Sequence, residues 1–290
     1  MLMAAIVIPV FNQEPFLERS LSSLLDQTCG DFAVFCVNDG STDASVEILR
    51  RFAAEDGRIR VVDKPNGGVS SARNAGLAAA LADVAITHVM FLDADDAFRP
   101  DCVKTALETA AAHPDAIVEW DWDDRVRERS TSIWSKCYPR AVVEDVRFFE
   151  GANVAEDIAF NLEVFFRHRP ALVHVARRLY DYSENPVSAM HRTLSADDFR
   201  QRVALIEYLV SVFASDQAAL ADLIQTEIPD LLRQFRRQLR RVRPSERALA
   251  RDLFRSELAA LRRRGLLRPR RGGVRGLLDY CRGLLMSMGK

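Results

Sequence analysis

The sequence predicts an α/β fold in which a mostly parallel sheet is flanked by helices. Three observations support this: short apolar runs alternate with segments of helical periodicity, four of these runs end in polar loops, and no run is long enough to span a bilayer. With 48% hydrophobic and 28% charged residues among 290, the composition is that of a globular protein. Sheets of this kind bind ligands at the carboxyl ends of their strands, so we expect the site in the polar loops.

The first four strands are predicted from apolar runs at residues 4–10, 32–37, 59–62 and 86–92. The segments between them carry apolar residues at helical spacing. Asn12 is predicted to cap the first helix, because its side chain can accept a hydrogen bond from a free N–H at a helix N-terminus. The alternation of strands and helices predicts parallel pairing, since parallel neighbours need a crossover connection.

Three carboxylates follow the fourth strand, in residues 91–96 (FLDADD). Asp93 and Asp95 are two positions apart and project to the same side of an extended chain. Like charges this close are costly without a cation between them, and oxygen ligands suit Mg²⁺ or Mn²⁺. The stretch alone leaves a solvated acidic turn as an alternative. The convergence of four polar loops on one crevice favours the metal site.

The predicted ligand of this crevice is a nucleoside diphosphate. Asp39, after the second strand, can accept hydrogen bonds from a base or a ribose, with helix capping as the alternative. Gly67 and Gly68 permit close backbone approach. Arg73 follows in the first turn of a helix, where positive charge suits phosphate, with a surface salt bridge as the alternative. Neither GxGxxG after the first strand nor GxxxxGK[ST] occurs, which argues against two other nucleotide folds.

Four segments together resemble the inverting glycosyltransferases of family 2, which have the GT-A fold. They are, in order, residues 7–12 (VIPVFN), 37–43 (VNDGSTD), 66–76 (NGGVSSARNAG) and 91–96 (FLDADD). The resemblance covers about residues 3–194. It implies a bacterial-type enzyme that moves a hexosyl or N-acetylhexosaminyl group from a UDP-sugar to a hydroxyl of a glycan or lipid-linked acceptor, as in cell-surface polysaccharide biosynthesis.

The resemblance also implies roles for single residues. Asp39 reads the uracil, while Asp93 and Asp95 form the DXD motif, with Asp95 closest to Mn²⁺ or Mg²⁺ and Asp93 toward the ribose and the metal. Phe11 stands where the family more usually has a tyrosine, and it keeps an aromatic face for base stacking. The other residues assigned to the nucleotide sugar are Pro9, Asn12, Gly68, Arg73 and Ala94.

A second pair of carboxylates, Glu156 and Asp157, opens a predicted helix. Carboxylates at this position are often only caps. The family places its catalytic base in such a pair, and the resemblance assigns the base to Asp157, with Glu156 beside it. The chemistry requires this group, because the acceptor hydroxyl must lose its proton as it attacks the anomeric carbon.

The second half of this domain is expected to supply the acceptor side. Residues 116–121 are predicted to form a strand, and Trp122 and a charged stretch after it suit either sugar binding or simple packing of tryptophans. The family usually has an arginine where Ser183 stands, which leaves a phosphate contact in doubt. His191 and Arg192 are the candidates to replace it after loop closure, and His191 is also assigned to the metal.

The charge is unevenly distributed. Residues 231–290 contain 17 Arg and one Lys against four acidic residues, a net charge of +14, which leaves −15 in residues 1–230. This predicts a catalytic domain over residues 1–194 and a helical region with a basic tail over residues 195–290, in which Pro229 and Pro244 interrupt helices. Residues 274–288 are apolar on one side of a predicted last helix.

Basic amphipathic helices of this kind predict attachment to an anionic membrane surface. Packing on the domain or on a second subunit is the main alternative, and nucleic-acid binding is not expected without a recognition motif. Five cysteines without CxxC spacing predict reduced thiols, and the N-terminus lacks signal-peptide features. We therefore expect a cytoplasmic protein, peripheral at the inner membrane face.

Two other function classes remain open. One is a catalytically silent module that binds a nucleotide sugar or a glycan, against which the Glu156–Asp157 pair argues. The other is a nucleotidyltransferase, which shares the sheet topology. Such enzymes usually carry a Gly-rich basic loop after the first strand, and this chain has none there.

Overall fold

The structure is a computed structural model that describes residues 1–122, 132–152, 154–183, 185 and 193–263. The chain divides into two compact units, Met1–Pro186 and Val187–Lys290. The functional division after residue 194 stays a prediction.

The first unit is built on a seven-stranded sheet with the order β3-β2-β1-β4-β7-β6-β8, beside a small antiparallel pair, β5 and β9. The strands are β1 (Ala4–Val10), β2 (Phe32–Asn38), β3 (Ile59–Asp63), β4 (His88–Phe91), β5 (Ala97–Phe98), β6 (Ala116–Asp121), β7 (Lys136–Pro139), β8 (Ala171–Arg178) and β9 (Tyr180–Asp181). Strands β1 to β4 pair in parallel, as do β6 and β8, whereas β7 runs antiparallel to both of its neighbours. The predicted mostly parallel sheet is confirmed.

Helices cover both faces of this sheet. They are α1 (Glu14–Leu25), α2 (Ser45–Glu55), α3 (Val69–Ala82), α4 (Cys102–Ala112) and α5 (Glu156–His168). Successive residues of a strand point to opposite faces, so Ile6 and Ile8 of β1 join the core cluster formed with α1, α2 and α4. Ala5 and Val7 join the cluster formed with α3 and α5. The helices therefore pack on the sheet from both of its faces.

The predicted cap at Asn12 is wrong. Helix α1 begins at Glu14, and its N-cap residue, Gln13, accepts no side-chain cap hydrogen bond. Asn12 has a φ of 52°, a left-handed conformation that asparagine tolerates better than most residues. Its side-chain oxygen instead accepts a hydrogen bond from the backbone N–H of Thr42 at 2.8 Å. Asn12 therefore joins the loop after β1 to the loop after β2.

The described part of the second unit is helical, as predicted. It contains α6 (Ala196–Val212), α7 (Gln217–Gln238) and α8 (Arg247–Arg263), with short 3₁₀ turns at Leu239–Arg241 and Pro244–Glu246. Pro229 does not interrupt a helix, because it lies inside α7. A proline removes one intrahelical hydrogen bond, but the buried Ile228 and Leu232 hold this segment against its neighbours. The predicted last helix, residues 274–288, lies outside the described residues.

None of the helices in the described part of the chain combines the length and the apolar composition that a membrane span requires. Four cysteines in that part carry free thiols, namely Cys29, Cys36, Cys102 and Cys137. Cys281 lies outside the described residues.

Candidate active site

The polar loops that follow the first three strands contact one another at the carboxyl edge of the sheet. The loop after β1 meets the loop after β2 where the backbone N–H of Asn12 donates to Ser41 Oγ at 3.1 Å. The loops after β2 and β3 meet where Lys64 Nζ lies 2.5 Å from Asp39 Oδ1. This edge therefore gathers side chains from segments that are far apart in the sequence.

Asp39 anchors the loop that leads into α3. Its Oδ1 accepts the backbone N–H of Gly67 at 3.0 Å in addition to Lys64, and its Oδ2 accepts the backbone N–H of Gly68 at 2.8 Å. Gly68 has a φ of 85°, where a residue with a side chain would be strained. The backbone of the two glycines thus lies close to the Asp39 carboxylate, a group of the protein itself. The residue assigned to uracil is 2% exposed and holds this loop.

Close packing of α3 on the sheet fixes the position of Arg73. A methyl group at Gly76 would lie 2.5 Å from Val7 Cγ1 and 3.0 Å from Val37 Cγ2, so only glycine permits this approach. Arg73, three residues earlier on the same helix, is 4% exposed. Its guanidinium is therefore held at the edge of the sheet and is not a surface group.

Arg73 joins the two carboxylate motifs. Its Nη2 donates to Asp93 Oδ1 at 2.8 Å, and its Nη1 donates to Glu156 Oε1 at 2.7 Å. The guanidinium carbon also lies 5.4 Å from the centroid of the Phe148 ring. Burial alone would lower the pKa of Arg73, but the two carboxylates raise it overall. The permanently charged guanidinium of Arg73 thus connects the end of β4 to the start of α5.

The three carboxylates after β4 have different surroundings. Asp96 is 2% exposed and accepts hydrogen bonds from the Tyr180 hydroxyl at 2.6 Å and the Ser183 N–H at 2.7 Å. Burial raises the pKa of Asp96 to about 7 against these bonds. Asp93 and Asp95 remain half-buried, with the intervening Ala94 buried. Asp96 therefore supports the turn, and the other two carboxylates face the crevice.

Asp95 is also connected to the segment after β9. The side-chain nitrogen of Asn185 donates to Asp95 Oδ2 at 2.9 Å. Burial raises the pKa of Asp95, the hydrogen bond from Asn185 opposes this, and the charge of Asp93 adds to the rise. Such a shift is expected for a carboxylate that is withdrawn from water, and a second carboxylate nearby adds to it.

A divalent cation fits the chemistry of these two carboxylates. Mg²⁺ and Mn²⁺ are held in many sites by one or two carboxylates, with waters and substrate phosphate oxygens as the remaining ligands. Within the described residues, no group of three or more His, Cys, Asp or Glu could by itself hold a metal ion. His191, the predicted further ligand, lies outside those residues. A metal ion bound by Asp93 and Asp95 would therefore need water or phosphate oxygens as its remaining ligands.

Asp157 lies at the N-terminus of α5, next to the residue that pairs with Arg73. Its Oδ1 accepts the backbone N–H of Ile158 at 2.8 Å. Burial and the neighbouring Glu156 raise the pKa of Asp157 to about 7, while Arg73 opposes the rise. A half-buried carboxyl that titrates near neutral pH can accept a proton efficiently. The geometry thus sets two adjacent carboxylates apart: Glu156 is paired with Arg73, and Asp157 has a raised pKa.

Four aromatic rings lie beside the Asp96 turn. Trp134 stacks on Tyr180 with ring centroids 4.4 Å apart, and Trp122 meets Trp134 edge-on at 5.2 Å. Tyr182 lies 5.9 Å from Trp122. Trp122 therefore packs among other aromatic rings, and sugar binding by this region stays a prediction. The charged stretch after Trp122 lies outside the described residues.

Sequence reasoning missed a buried ion pair behind the site. Lys136 Nζ of β7 lies 2.9 Å from Glu119 Oε2 of β6, and both side chains are at most 1% exposed. Lys136 also donates to the carbonyl of Ser132 at 2.8 Å. Burial lowers the pKa of Lys136, and Glu119 and Asp157 oppose that shift. The available signal was a charged residue inside the apolar strand β6 and another at the first position of β7, because buried charges need partners.

Other contacts of the site were also missed. Lys64, Asn185 and Tyr180 each bind a carboxylate of a predicted motif, and nothing local in the sequence indicates these pairings. Ser183, where the family usually has an arginine, accepts a hydrogen bond from Arg19 of α1. A guanidinium from another element therefore lies next to that position.

Three comparisons describe relatives of this chain. The glycosyltransferase EpsJ of Bacillus subtilis is 32% identical over 219 residues, which cover 64% of this chain and 62% of EpsJ. The chain thus spans about three fifths of that relative. Among solved structures, S. aureus TarS in complex with UDP-GlcNAc has a TM-score of 0.62 at 17% identity, covering 90% of this chain and 92% of that one.

The mannosyltransferase PcManGT of Pyrobaculum calidifontis, in complex with GDP-Man and Mn²⁺, has a TM-score of 0.55 at 16% identity and covers 98% of this chain and 80% of that one. Structural likeness at these identities establishes the GT-A fold. The family model for glycosyl transferase family 2 matches residues 5–171, more than half of the chain. That span includes all four strand-end loops, Arg73 and the Glu156–Asp157 pair, and the chain belongs to glycosyltransferase family 2.

Proposed function

We propose that this protein transfers a sugar from a UDP-sugar to a hydroxyl group of an acceptor, with inversion at the anomeric carbon. The observation that carries the proposal is the pairing of Arg73 with Asp93 at 2.8 Å and with Glu156 at 2.7 Å. Through this pairing, Arg73 connects Asp93, which is suited to bind a metal ion with its diphosphate, to the start of α5. The candidate base, Asp157, lies at that helix start. A silent binding module has no need of a carboxylate whose pKa is raised to about 7.

The donor end is proposed to lie at the ends of β1 and β2. Phe11 is 46% exposed, unusual for an aromatic side chain, and it offers a face on which a base can stack. Pro9, Asn12 and the loop held by Asp39 would flank that base. The structural neighbours in complex with UDP-GlcNAc and GDP-Man support a nucleotide-sugar donor, and the choice of uracil rests on Asp39.

The diphosphate is proposed to lie between Gly68 and the carboxylates after β4. Asp93 and Asp95 would hold Mn²⁺ or Mg²⁺, which when bound offsets the charge that develops on the leaving diphosphate. The ion pair with Arg73 keeps Asp93 in place. The backbone N–H groups at the start of α3 suit a phosphate oxygen, because a helix N-terminus carries partial positive charge.

The reaction needs one proton acceptor, and we assign it to Asp157. The acceptor O–H gives its proton to the carboxylate, and the oxygen forms a bond to the anomeric carbon. The bond from that carbon to the diphosphate oxygen breaks, and its electron pair leaves with UDP. Attack from the face opposite the leaving group inverts the configuration. General base catalysis of this kind contributes about 10²- to 10⁴-fold.

Asp157→Asn tests this assignment. Asparagine is nearly isosteric and cannot take the proton, so kcat should fall by about 10²-fold or more while UDP affinity is kept. Glu163→Gln, on the same helix, is the matched control and should leave kcat within a few-fold. If Glu156→Gln is inactive and Asp157→Asn is active, the base is the other member of the pair. If the wild-type protein neither transfers nor hydrolyses any of a panel of UDP-sugars with Mn²⁺, it is a binding module.

The metal assignment is tested separately. Asp95→Ala should abolish transfer and the metal-dependent part of UDP binding with little loss of fold, because a half-exposed carboxylate adds little to stability. Isothermal titration with UDP, with and without Mn²⁺, measures this. Turnover unchanged in Asp95→Ala would show that the carboxylates after β4 do not hold a catalytic metal.

We further propose a glycan or lipid-linked acceptor and a cytoplasmic enzyme that attaches to the anionic inner face of the membrane through its basic C-terminal region. The net charge of +14 over residues 231–290 supports this. The full-length protein should cosediment with anionic vesicles, less so at high salt, and a chain ending at residue 230 should not. Absence of binding even at low salt would make the region a packing or oligomerisation element.

A further inference from the structure

Lys64 follows β3 and pairs with Asp39, the residue proposed to read the base. Its Nζ lies 2.5 Å from Asp39 Oδ1 and donates to the carbonyl oxygen of Pro65 at 2.8 Å. The Lys64 side chain is 19% exposed, whereas that of Asp39 is almost fully buried. The ammonium is therefore the more accessible partner of this ion pair, and the proposed transfer reaction gives it no role.

Three neighbouring strands bring Lys64 to the side of the residue proposed to stack on the base. The backbone N–H of Asp39 donates to the carbonyl of Val10 at 2.8 Å, next to the exposed Phe11. The backbone N–H of Lys64 donates to the carbonyl of Asn38 at 3.0 Å, next to Asp39. Adjacent strands lie about 4.8 Å apart, so the ends of β1, β2 and β3 form a row about 10 Å long. A pyrimidine on Phe11 can therefore turn its edge toward Asp39 and Lys64.

Gly67 leaves room for the Lys64 ammonium. A methyl group at Gly67 would lie 2.9 Å from Lys64 Nζ and 2.8 Å from Ser71 Oγ, so a side chain there would crowd both groups. Gly68 has a positive φ, but Gly67 does not, so the backbone conformation does not require glycine at position 67. Glycine at this position instead allows the ammonium to lie against the loop beside Asp39.

Within the described part of the chain, the ion pair keeps one donor and one acceptor for a ligand. An ammonium has three N–H donors, and Lys64 uses one on Asp39 and one on Pro65. A carboxylate has about four acceptor sites, and Lys64 and the N–H groups of the two loop glycines fill three of those of Asp39. Uracil presents an N–H donor at N3 beside an acceptor at O4. The remaining acceptor and donor of the ion pair match that edge.

We propose that Lys64 is a specificity-determining residue that donates a hydrogen bond to O4 of uracil, beside the bond that Asp39 accepts from N3–H. This inference rests on the proposed function, in which the donor is a UDP-sugar. In the same pose, cytosine would place an unprotonated N3 opposite the carboxylate and an amino group opposite the ammonium. Both contacts join like partners and leave the donor and the acceptor unpaired, which a site built on hydrogen bonds rejects.

The test compares the affinities of UDP and CDP for the full-length protein, by isothermal titration with Mn²⁺. The wild type should prefer UDP. Lys64→Met removes the donor and keeps most of the side-chain length, so UDP affinity should fall at least about tenfold while CDP affinity changes little. Lys64→Ala removes the same donor without a long apolar chain and should lose the preference equally, so the test does not depend on the folding of one variant. Lys104→Met on α4, where the lysine side chain is 54% exposed, is the matched control and should keep the wild-type preference.

The ratio of the two affinities separates base reading from a structural role. An equal loss of UDP and CDP affinity in the Lys64 variants would mean that Lys64 only holds Asp39 and its loop. An unchanged preference for UDP would mean that Lys64 does not contact the base. Either result overturns this inference and leaves the proposed function intact. A wild-type protein that binds UDP no better than CDP would instead contradict the uracil donor of the proposed function, and this inference with it.

Discussion

Two buried cations of the first unit, Arg73 and Lys136, both form ion pairs with carboxylates, but the two ion pairs differ in their exposure to solvent. Each joins carboxylates from other elements, Arg73 with Asp93 and Glu156, and Lys136 with Glu119. The side chains of Asp93 and Glu156 are 28% and 13% exposed, whereas that of Glu119 is 1% exposed. One cation lies at the edge of an open crevice, and the other is sealed between β6 and β7.

The difference shows that the burial of an ion pair decides whether a ligand can reach its charged groups. Around Arg73 the carboxylates reach solvent, so they remain accessible to an ion or a ligand. Around Lys136 no ligand can enter, and the ammonium and the carboxylate compensate each other for lost hydration. Breaking a sealed pair leaves an uncompensated charge in a medium of low polarity, which costs much more than breaking an open one.

The largest expected effect is on stability. Lys136→Met should lower the free energy of unfolding by about 3–5 kcal/mol, because Glu119 would remain buried without its cation. Urea denaturation followed by circular dichroism measures the change.

The double variant Lys136→Met/Glu119→Leu is the control for this prediction. It removes both charges and should recover most of the lost stability, since an apolar pair of similar volume often replaces a buried ion pair at little cost. If the double variant is as unstable as Lys136→Met, then packing and not charge explains the loss.

The second effect is on the pH dependence of kcat. Asp157 must be ionised to accept a proton, so with a pKa of about 7 the wild-type kcat should fall as pH drops below that value. Arg73 favours the ionised form, and Arg73→Gln should therefore move this acid limb upward by about one unit. Rates at saturating donor from pH 5.5 to about 9.5 would measure it.

The sealed pair supplies the contrast for that measurement. Lys136→Met/Glu119→Leu removes one positive and one negative charge, so the acid limb should move less than in Arg73→Gln. A shift in the double variant as large as that in Arg73→Gln would mean that the sealed cation, too, controls the base, and the comparison would fail.

The smallest effect is expected at the surface. Arg60 and Asp83 form a salt bridge at 3.1 Å with side chains that are 46% and 26% exposed. Arg60→Gln should change the free energy of unfolding by less than about 1 kcal/mol, since water replaces the lost partner. The same urea titration applies, and a loss near that of Lys136→Met would show that exposure does not rank these ion pairs.

Much of the first half of the fold could be predicted, because each parallel strand is a continuous apolar run with a helix of apolar spacing after it. The pairing partners and the direction of strand β7 could not be predicted. It follows β6 in the sequence but enters the sheet between β4 and β6, antiparallel to both. A short strand of four residues carries no signal of its direction, because direction depends on where the chain returns to the sheet.

The site divides in the same way. Local pattern placed Asp39, Asp93 and Asp95 at strand ends and Asp157 at a helix start, since a residue's position within an element follows from periodicity. Local pattern could not assign the partners of these carboxylates. Arg73 and Glu156 are 83 positions apart, and Asp95 and Asn185 are 90 apart.

The sequence by itself determined the order of the first four strands and the helices between them, the polar loops at the ends of those strands and the family. The tertiary structure alone decided that Asp39 holds the loop before α3, that Arg73 joins the two carboxylate motifs and that Lys136 is sealed against Glu119. The physical reason is that secondary structure depends on neighbours within a few positions. Ion pairs and hydrogen bonds in the site depend instead on how whole elements pack, and a contact such as Gly76 against Val7 sets that packing.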